Sequence, residues 1–244
     1  MKHCYLIPVF NEEENLIELH KRLTENAPGN DNFFLFIDDC STDNSVDLIN
    51  SLFNNVSFQI IEKKYNLGPG DSFNQGFEFL IEKYGHQKDT LVITMEADNT
   101  SDISILSNLI SIAEIGYDLV LASIYCQGGG FSQTSLFRKV LSFAANMIFR
   151  VVFDIKILTL SSFYRVYSMD LLVKIKNSNN KIIEQSGFIC MLEILLKSIH
   201  QKAKVIEIPM VLKSDIRKGK SKMKIFSNAL SYLKFLLTFR KGQL

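Results

Sequence analysis

Tryptophan is absent from the 244 residues, and proline and cysteine occur only four times each. Without Trp, the aromatic mark of a membrane-interface belt is incomplete, although 19 Phe and 8 Tyr are present. Cys4, Cys40, Cys126 and Cys190 are too widely spaced for a metal-ligand motif and too few for a dense disulfide framework. That points to a reducing, cytoplasmic setting. There is no signal-peptide pattern, and no apolar run reaches the roughly 20 residues that a bilayer-spanning helix needs. Internal repeats, low-complexity tracts and a linker marking a second domain are also lacking. The formal net charge of +1 says little about partners, and no nucleic acid is expected. The distribution of charge says more. From Lys213 to Leu244, nine Lys or Arg stand against one acid, Asp215, so the preceding residues are net acidic. A basic tail on an acidic body points to an anionic contact for the tail.

What is present is an alternation of short apolar runs with amphipathic stretches. Residues 4–10, 33–38, 57–62, 90–95 and 118–124 predict strands covered on both faces. Residues 12–26, 42–53, 71–84 and 102–115 predict the helices between them, with N-cap candidates in "STDNSVDLI" and "TSDISIL". Such an order implies right-handed crossovers and an α/β fold with a mostly parallel, Rossmann-like sheet carrying helices on both faces. In the second half, residues 135–153, 187–202 and 223–240 read as helices, and residues 162–168 and 204–212 as strands. Pro209 marks an edge or an end of the last strand. The segment "NSNNK" (177–181) reads as a polar loop.

In an open parallel sheet, ligands bind beyond the carboxyl ends of the strands. Those ends read "NEEEN" (11–15), "DDCSTD" (38–43), "KKYNLGPGDSFNQG" (63–76), "EADNT" (96–100) and "YCQGGG" (125–130). Acids, amides and glycines therefore gather along one rim. Glu96 and Asp98, spaced i and i+2, project to the same side of an extended chain. Two like charges there disfavour each other unless a cation or a set of donors compensates, and paired hard oxygens suit Mg²⁺ or Mn²⁺. The plainer alternative is that Asp98 caps helix 102–115 while Glu96 is merely exposed.

The blocks "IPVFNEEENL" (7–16), "FIDDCSTDNS" (36–45), "NLGPGDSFNQG" (66–76) and "MEADNT" (95–100) resemble, in order and spacing, those of family 2 glycosyltransferases with the GT-A fold. The later blocks "SIYCQGGG", "RKVLSFAANMI", "SFYRVYS" and "RKGKSK" resemble those of dolichyl-phosphate mannosyltransferases and bacterial polyprenyl-phosphate glycosyltransferases. The resemblance implies a nucleotide-diphosphate-sugar donor in a pocket lined by Pro8, Phe10 and Glu12, with Ile37 and Asp39 flanking base and ribose. It implies that Glu96, Ala97 and Asp98 form the metal and diphosphate motif, with Mg²⁺ or Mn²⁺ on Glu96 and Asp98. Asp98, Arg138 and Lys222 would serve catalysis, the two cations by facing phosphate. Arg165, Glu193 and Arg217 would lie on the acceptor side, and "RKGKSK" would close over the donor. A GT-A domain over residues 1–212 would be followed by a basic closing loop and amphipathic helix over 213–244.

The sequence also departs from that pattern. Glu96 stands where Asp is usual, Ile124 where a phosphate-facing Arg is expected, and "TLSSFYR" (159–165) places Thr159 and Ser162 where an acid and a Gly are expected. Arg217 sits one residue nearer the Gly-x-Ser-Lys than the pattern has it. Three readings stay open: inverting transfer to a polyprenyl phosphate, transfer to a saccharide hydroxyl with Glu193 or Glu184 as base, and a silent nucleotide-sugar-binding subunit. A receiver domain is disfavoured, because its acid pair would follow the first strand, whereas Asp38 and Asp39 follow the second. The polar stripe of helix 223–241 and the apolar helix 135–153 suit peripheral attachment at the inner face of a membrane, or packing on a membrane-protein partner or a second copy.

Overall fold

The computed structural model describes residues 1–29, 31–219, 232 and 235, with the backbone alone described at residues 137 and 138. The chain runs β1 (Lys2–Val9), α1 (Glu13–Asn26), β2 (Asn32–Asp38), α2 (Ser45–Leu52), β3 (Ser57–Glu62), α3 (Pro69–Tyr84) and β4 (Thr90–Thr94). A 3-10 turn at Ile103–Ile105 leads into α4 (Leu106–Glu114), followed by β5 (Leu119–Ser123), β6 (Gly130–Ser132) and α5 (Leu136–Phe153). Then come β7 (Arg165–Ser168), α6 (Met169–Ser178), α7 (Cys190–His200), β8 (Val205–Pro209) and β9 (Val211–Lys213).

Seven strands form one sheet in the order β3-β2-β1-β4-β7-β5-β8, and β6 pairs with β9 apart from it. Only β7 runs antiparallel to its neighbours in the large sheet. Alternate residues feed two cores, as the two-residue period of a strand requires. Cys4 and Leu6 of β1, and Phe33, Leu35 and Ile37 of β2, pack toward α3, α6 and α7. Tyr5, Ile7, Val9, Phe34 and Phe36 pack toward α1, α2 and α4. Both faces are thus covered, which explains the nearly unbroken apolar runs.

After β1 the chain builds outward through β2 and β3, then crosses back to place β4 on the other side of β1. The strand order therefore reverses between β2 and β4, and a crevice at such a point is where open α/β sheets bind ligands.

Several predicted elements change. The predicted strand 204–212 divides at Met210, whose N–H bonds Ser123 O at 2.9 Å. Its first part is an edge strand ending at Pro209, and its second pairs with β6, which the sequence reading did not anticipate. Helix α6 was also unanticipated; Ser168 Oγ accepts the Leu171 N–H at 3.2 Å and starts the helix directly from the strand. Helix α3 begins earlier than expected because Pro69 suits its first turn. Of the predicted helix 223–240, only Tyr232 and Phe235 are described; their rings pack on Phe149 and Phe153 of α5.

Candidate active site

The loop leaving β4 is held by its own side chains. Asp98 Oδ1 accepts the Thr100 hydroxyl at 2.7 Å and the Thr100 N–H at 3.0 Å. The same hydroxyl lies 3.3 Å from Glu96 Oε2, so one donor bridges the two carboxylates. Asn99 takes a left-handed φ of 65° that turns the chain. Its main-chain and side-chain oxygens accept from Arg22 at 2.7 and 3.3 Å, and its amide donates to Asn15 O at 2.9 Å. Helix α1 thus clamps the loop. Asp102, not Asp98, is the cap: it accepts the Ser104 N–H at 3.3 Å and hydroxyl at 2.7 Å. The plainer reading of Asp98 is thereby removed.

A segment from β9 lies over this loop. Lys213 N–H bonds Thr100 O at 3.0 Å, and its ammonium reaches Asp102 at 2.9 Å. The Arg217 guanidinium meets Asp98 Oδ2 in a close ion pair. Lys218 N–H donates to Asn15 Oδ1 at 2.9 Å, and Asn15 Nδ2 donates back to Lys218 O at 3.2 Å.

The exits of β1 and β2 are laced together. Asn11 N–H bonds Ser41 Oγ at 2.9 Å, Thr42 N–H bonds Asn11 Oδ1 at 2.7 Å, and Glu12 N–H bonds Ser45 Oγ at 2.8 Å. Asp39 is nearly fully buried. It accepts the N–H groups of Leu67 and Gly68 at 2.9 Å each and pairs with Lys63 at 2.6 Å. Lys63 also pairs with Asp71 at 2.8 Å. The glycines of this loop have steric causes. Gly68 has φ +87°, and a Cβ on Gly68 or Gly70 would strike the backbone of Gln185 or Ser186. The neighbouring loop is itself fixed by Glu193, which accepts Glu184 N–H at 2.9 and 3.1 Å and Gln185 N–H at 2.9 Å and pairs with Lys197 at 2.8 Å.

Of the residues implicated by sequence, Pro8 and Ile37 are register partners in β1 and β2. Phe10 and Glu12 follow β1, while Ala97 and Asp98 follow β4. Phe10, Glu12, Ala97 and Asp98 stand at one end of the sheet with Asp39 and Glu96, whereas the Ile37 side chain is fully buried in the core. Arg217 joins them through its ion pair with Asp98. Arg165 is a correction. It is 0% exposed, and its guanidinium donates to the carbonyls of Ser162, Leu160 and Met191 at 2.7, 2.7 and 2.9 Å, so its donors serve the core instead of an acceptor. Glu193 is likewise 2% exposed and engaged by a loop and a lysine. Arg138 lies in α5 with its side chain outside the described residues, as is all of Lys222. Thr159 Oγ1 pairs with Ser123 Oγ at 2.7 Å, and Ile124 packs at the margin of the α1–α2–α4 core. Lys63, Asn15, Thr100 and Lys213 were not singled out from sequence. Lys63 stands directly after a strand and facing an acid pair, which was the available signal.

Burial raises the Glu96 carboxyl above its ordinary range; Arg217 and the Thr100 hydroxyl oppose this, and Glu12 adds to it. Burial also pushes Asp102 upward, but hydrogen bonds from Ser104 and Lys213 outweigh it and hold the carboxyl low. The site is therefore short of positive charge at Glu96 and carries a cation on Asp98. That donor set fits an oxygen-preferring divalent ion. Among the described residues, no three His, Cys, Asp or Glu side chains gather to hold a metal by themselves, so further oxygens would come from a ligand or water.

Residues 4–176 match glycosyl transferase family 2. The chain belongs to that family. It is a glycosyltransferase whose seven-stranded sheet is of the GT-A kind. It is 26% identical over 220 residues to a polyprenol monophosphomannose synthase of Mycolicibacterium smegmatis, covering 89% of this chain and 79% of that protein. It is 25% identical over 224 residues to an undecaprenyl-phosphate mannosyltransferase of Micrococcus luteus, covering 91% and 88%. A dolichol-phosphate mannosyltransferase of Pyrococcus furiosus is 27% identical over 233 residues; 92% of this chain matches 60% of that longer protein. Among solved structures, glucosyl-3-phosphoglycerate synthase of Mycobacterium tuberculosis with Mn²⁺ and UDP-glucose superposes with a TM-score of 0.66 at 13% identity, covering 97% and 77%. That likeness concerns the fold.

Proposed function

We propose that this glycosyltransferase moves a sugar from a nucleoside diphosphate sugar to a polyprenyl phosphate. The observation that carries the reading is the Glu96–Asp98 pair, joined by Thr100 at the sheet's switch point and already facing a cation. Relatives named for polyprenyl-phosphate transfer, aligned over most of the chain, supply the substrate class. Pro8, Phe10, Glu12, Asp39 and Ala97 would line the nucleotide pocket. Glu96 and Asp98 would hold Mg²⁺ or Mn²⁺, which supplies Lewis-acid neutralisation of the departing diphosphate.

The remaining work falls to the chain's own residues. Asp39, fixed by Lys63 and two N–H groups, presents a rigid edge to the nucleoside. Arg217, and from the resemblance Arg138 and Lys222, would add positive charge where the leaving group gains negative charge. A phosphate monoester is already ionised, so it attacks without a general base and needs only positioning. Glu193 supports this choice, since its carboxylate is occupied by main-chain N–H groups and Lys197. In-line attack would invert the anomeric centre.

Helix α5 supports a membrane-surface location. Leu136, Val140, Phe143, Met147 and Val151 are 76, 59, 55, 53 and 76% exposed and recur at steps of three and four. The helix holds Arg138, Lys139 and Arg150 and no acid. An apolar face flanked by cations suits an anionic bilayer surface, from which a lipid phosphate would come. No described helix is long and apolar enough to cross a membrane. A protein partner or second copy would leave vesicle binding absent.

The test is a thermal-shift panel of GDP-, UDP-, dTDP- and CMP-sugars with and without Mn²⁺. A donor at about 100 times its dissociation constant should stabilise the fold by roughly 2.7 kcal/mol. A Mn²⁺-dependent shift with one base supports the reading, and no shift with any donor favours a silent subunit.

A further inference from the structure

Five contacts tie residues 213–218 across the carboxylate site, and one of them occupies the group that a metal would use. Lys213 binds Thr100 O through its N–H at 3.0 Å and Asp102 through its ammonium at 2.9 Å. Lys218 exchanges two hydrogen bonds with Asn15. Between these anchors, the Arg217 guanidinium lies on Asp98 Oδ2, while Asp98 Oδ1 is taken by Thr100. Both oxygens of the proposed metal ligand are therefore engaged within the protein.

We propose that residues 213–218 form a self-docked strap, in which Arg217 holds the place of the divalent cation on Asp98 and must leave before the ion can bind. This rests on the assignment of Asp98 as a metal ligand, and it adds an order of events. Two cations at one carboxylate oxygen repel each other, so ion binding and docking of Arg217 oppose one another. By linkage, each weakens the other by the same factor. The anchors at Lys213 and Asn15 do not involve Asp98, so the strap can release Arg217 locally and stay attached at its ends. A bound diphosphate would give the released guanidinium a new anionic partner, which couples departure from Asp98 to donor arrival. A donor-free protein thus keeps Asp98 neutralised and its ion affinity low.

The test uses Mn²⁺ alone with the full chain, read by electron paramagnetic resonance of free Mn²⁺ and by hydrogen exchange. Arg217→Met keeps the aliphatic stem and removes the charge. It should raise donor-free Mn²⁺ affinity by at least about fivefold, the low end of ordinary coupling between sites. In the unsubstituted protein, Mn²⁺ should speed amide exchange at Ile216 and Arg217, while the Lys218 N–H keeps its bond to Asn15. Arg217→Lys, which keeps a cation, should raise Mn²⁺ affinity less than Arg217→Met does. The strap proposal is overturned if Arg217→Met leaves Mn²⁺ affinity unchanged or lowers it, or if Mn²⁺ leaves exchange there unaltered. The transfer reading fails by a different observation, the absence of donor binding or turnover, so the two can be told apart.

Discussion

Thr100 places one hydroxyl 2.7 Å from Asp98 Oδ1 and 3.3 Å from Glu96 Oε2. Two carboxylates of the β4 exit are thereby bridged by a single neutral donor, which fixes how Asp98 faces the crevice. Thr100→Val keeps the shape and removes the hydroxyl. Outer-shell groups of this kind usually matter by 10–100-fold in metal affinity or activity. A loss in that range is expected, with Mn²⁺ affinity measured beside turnover; an unaffected variant would mean that the hydroxyl does not orient Asp98.

Glu96 gives a pH signature. Its folded-state carboxyl titrates above the ordinary range because burial penalises the charge. The folded state therefore binds this proton more tightly than the unfolded chain does, and stability falls as pH rises through that window. Glu96→Gln should be more stable than the original at pH 7 without metal, with the advantage vanishing below the ordinary carboxylate pKa. Equal melting temperatures at pH 7 would show that Arg217 and Thr100 already compensate Glu96 in full.

Glu193 and Lys197 are 2% and 4% exposed and 2.8 Å apart. Removing one partner of such a pair strands a buried charge, at a cost of about 3–5 kcal/mol. Glu193→Leu should therefore lower the melting temperature by on the order of 10 °C for a domain of this size. Joining it to Lys197→Met should recover part of the loss. If Glu193→Leu instead abolishes transfer while melting normally, Glu193 belongs to the acceptor machinery.

Gly70 and Gly187 make a matched steric pair. A Cβ on Gly70 would strike the Gln185 carbonyl, whereas one on Gly187 meets nothing within 4 Å. Gly70→Ala should displace the loop that Asp39 holds and weaken donor binding. Gly187→Ala should be silent. Similar donor affinities in the two variants would remove this loop from the nucleotide pocket.

The fold was legible where periodicity and strand ends coincide. β1, β2, β3, β4 and β5 each pair an apolar run with a polar exit, and the rim of Glu12, Asp39, Glu96 and Asp98 followed from that pairing. Helix α6 was not legible because Ser168 ends a strand and caps a helix at once, with no Gly or Pro between. The role of Arg165 was hidden for another reason. A motif names the residue but not its partners, and the carbonyls of Leu160 and Ser162 in the preceding loop and of Met191 in α7 converge on it only in the fold. The contact of Arg217 with Asp98 spans more than a hundred residues and leaves no local pattern.

In the proposed reaction, Asp98 serves sugar transfer to a lipid phosphate. The most direct measurement of this role is a transfer assay with the donor that stabilises the fold, Mn²⁺ and a short polyprenyl phosphate, comparing the original protein with Asp98→Asn. Glycosyl polyprenyl phosphate should form with the original protein and fall by at least about a hundredfold with Asp98→Asn, the scale of losing one electrostatic stabiliser, while the melting temperature stays close to the original. Undiminished product from Asp98→Asn, or product on a saccharide hydroxyl and none on the lipid phosphate, would refute it.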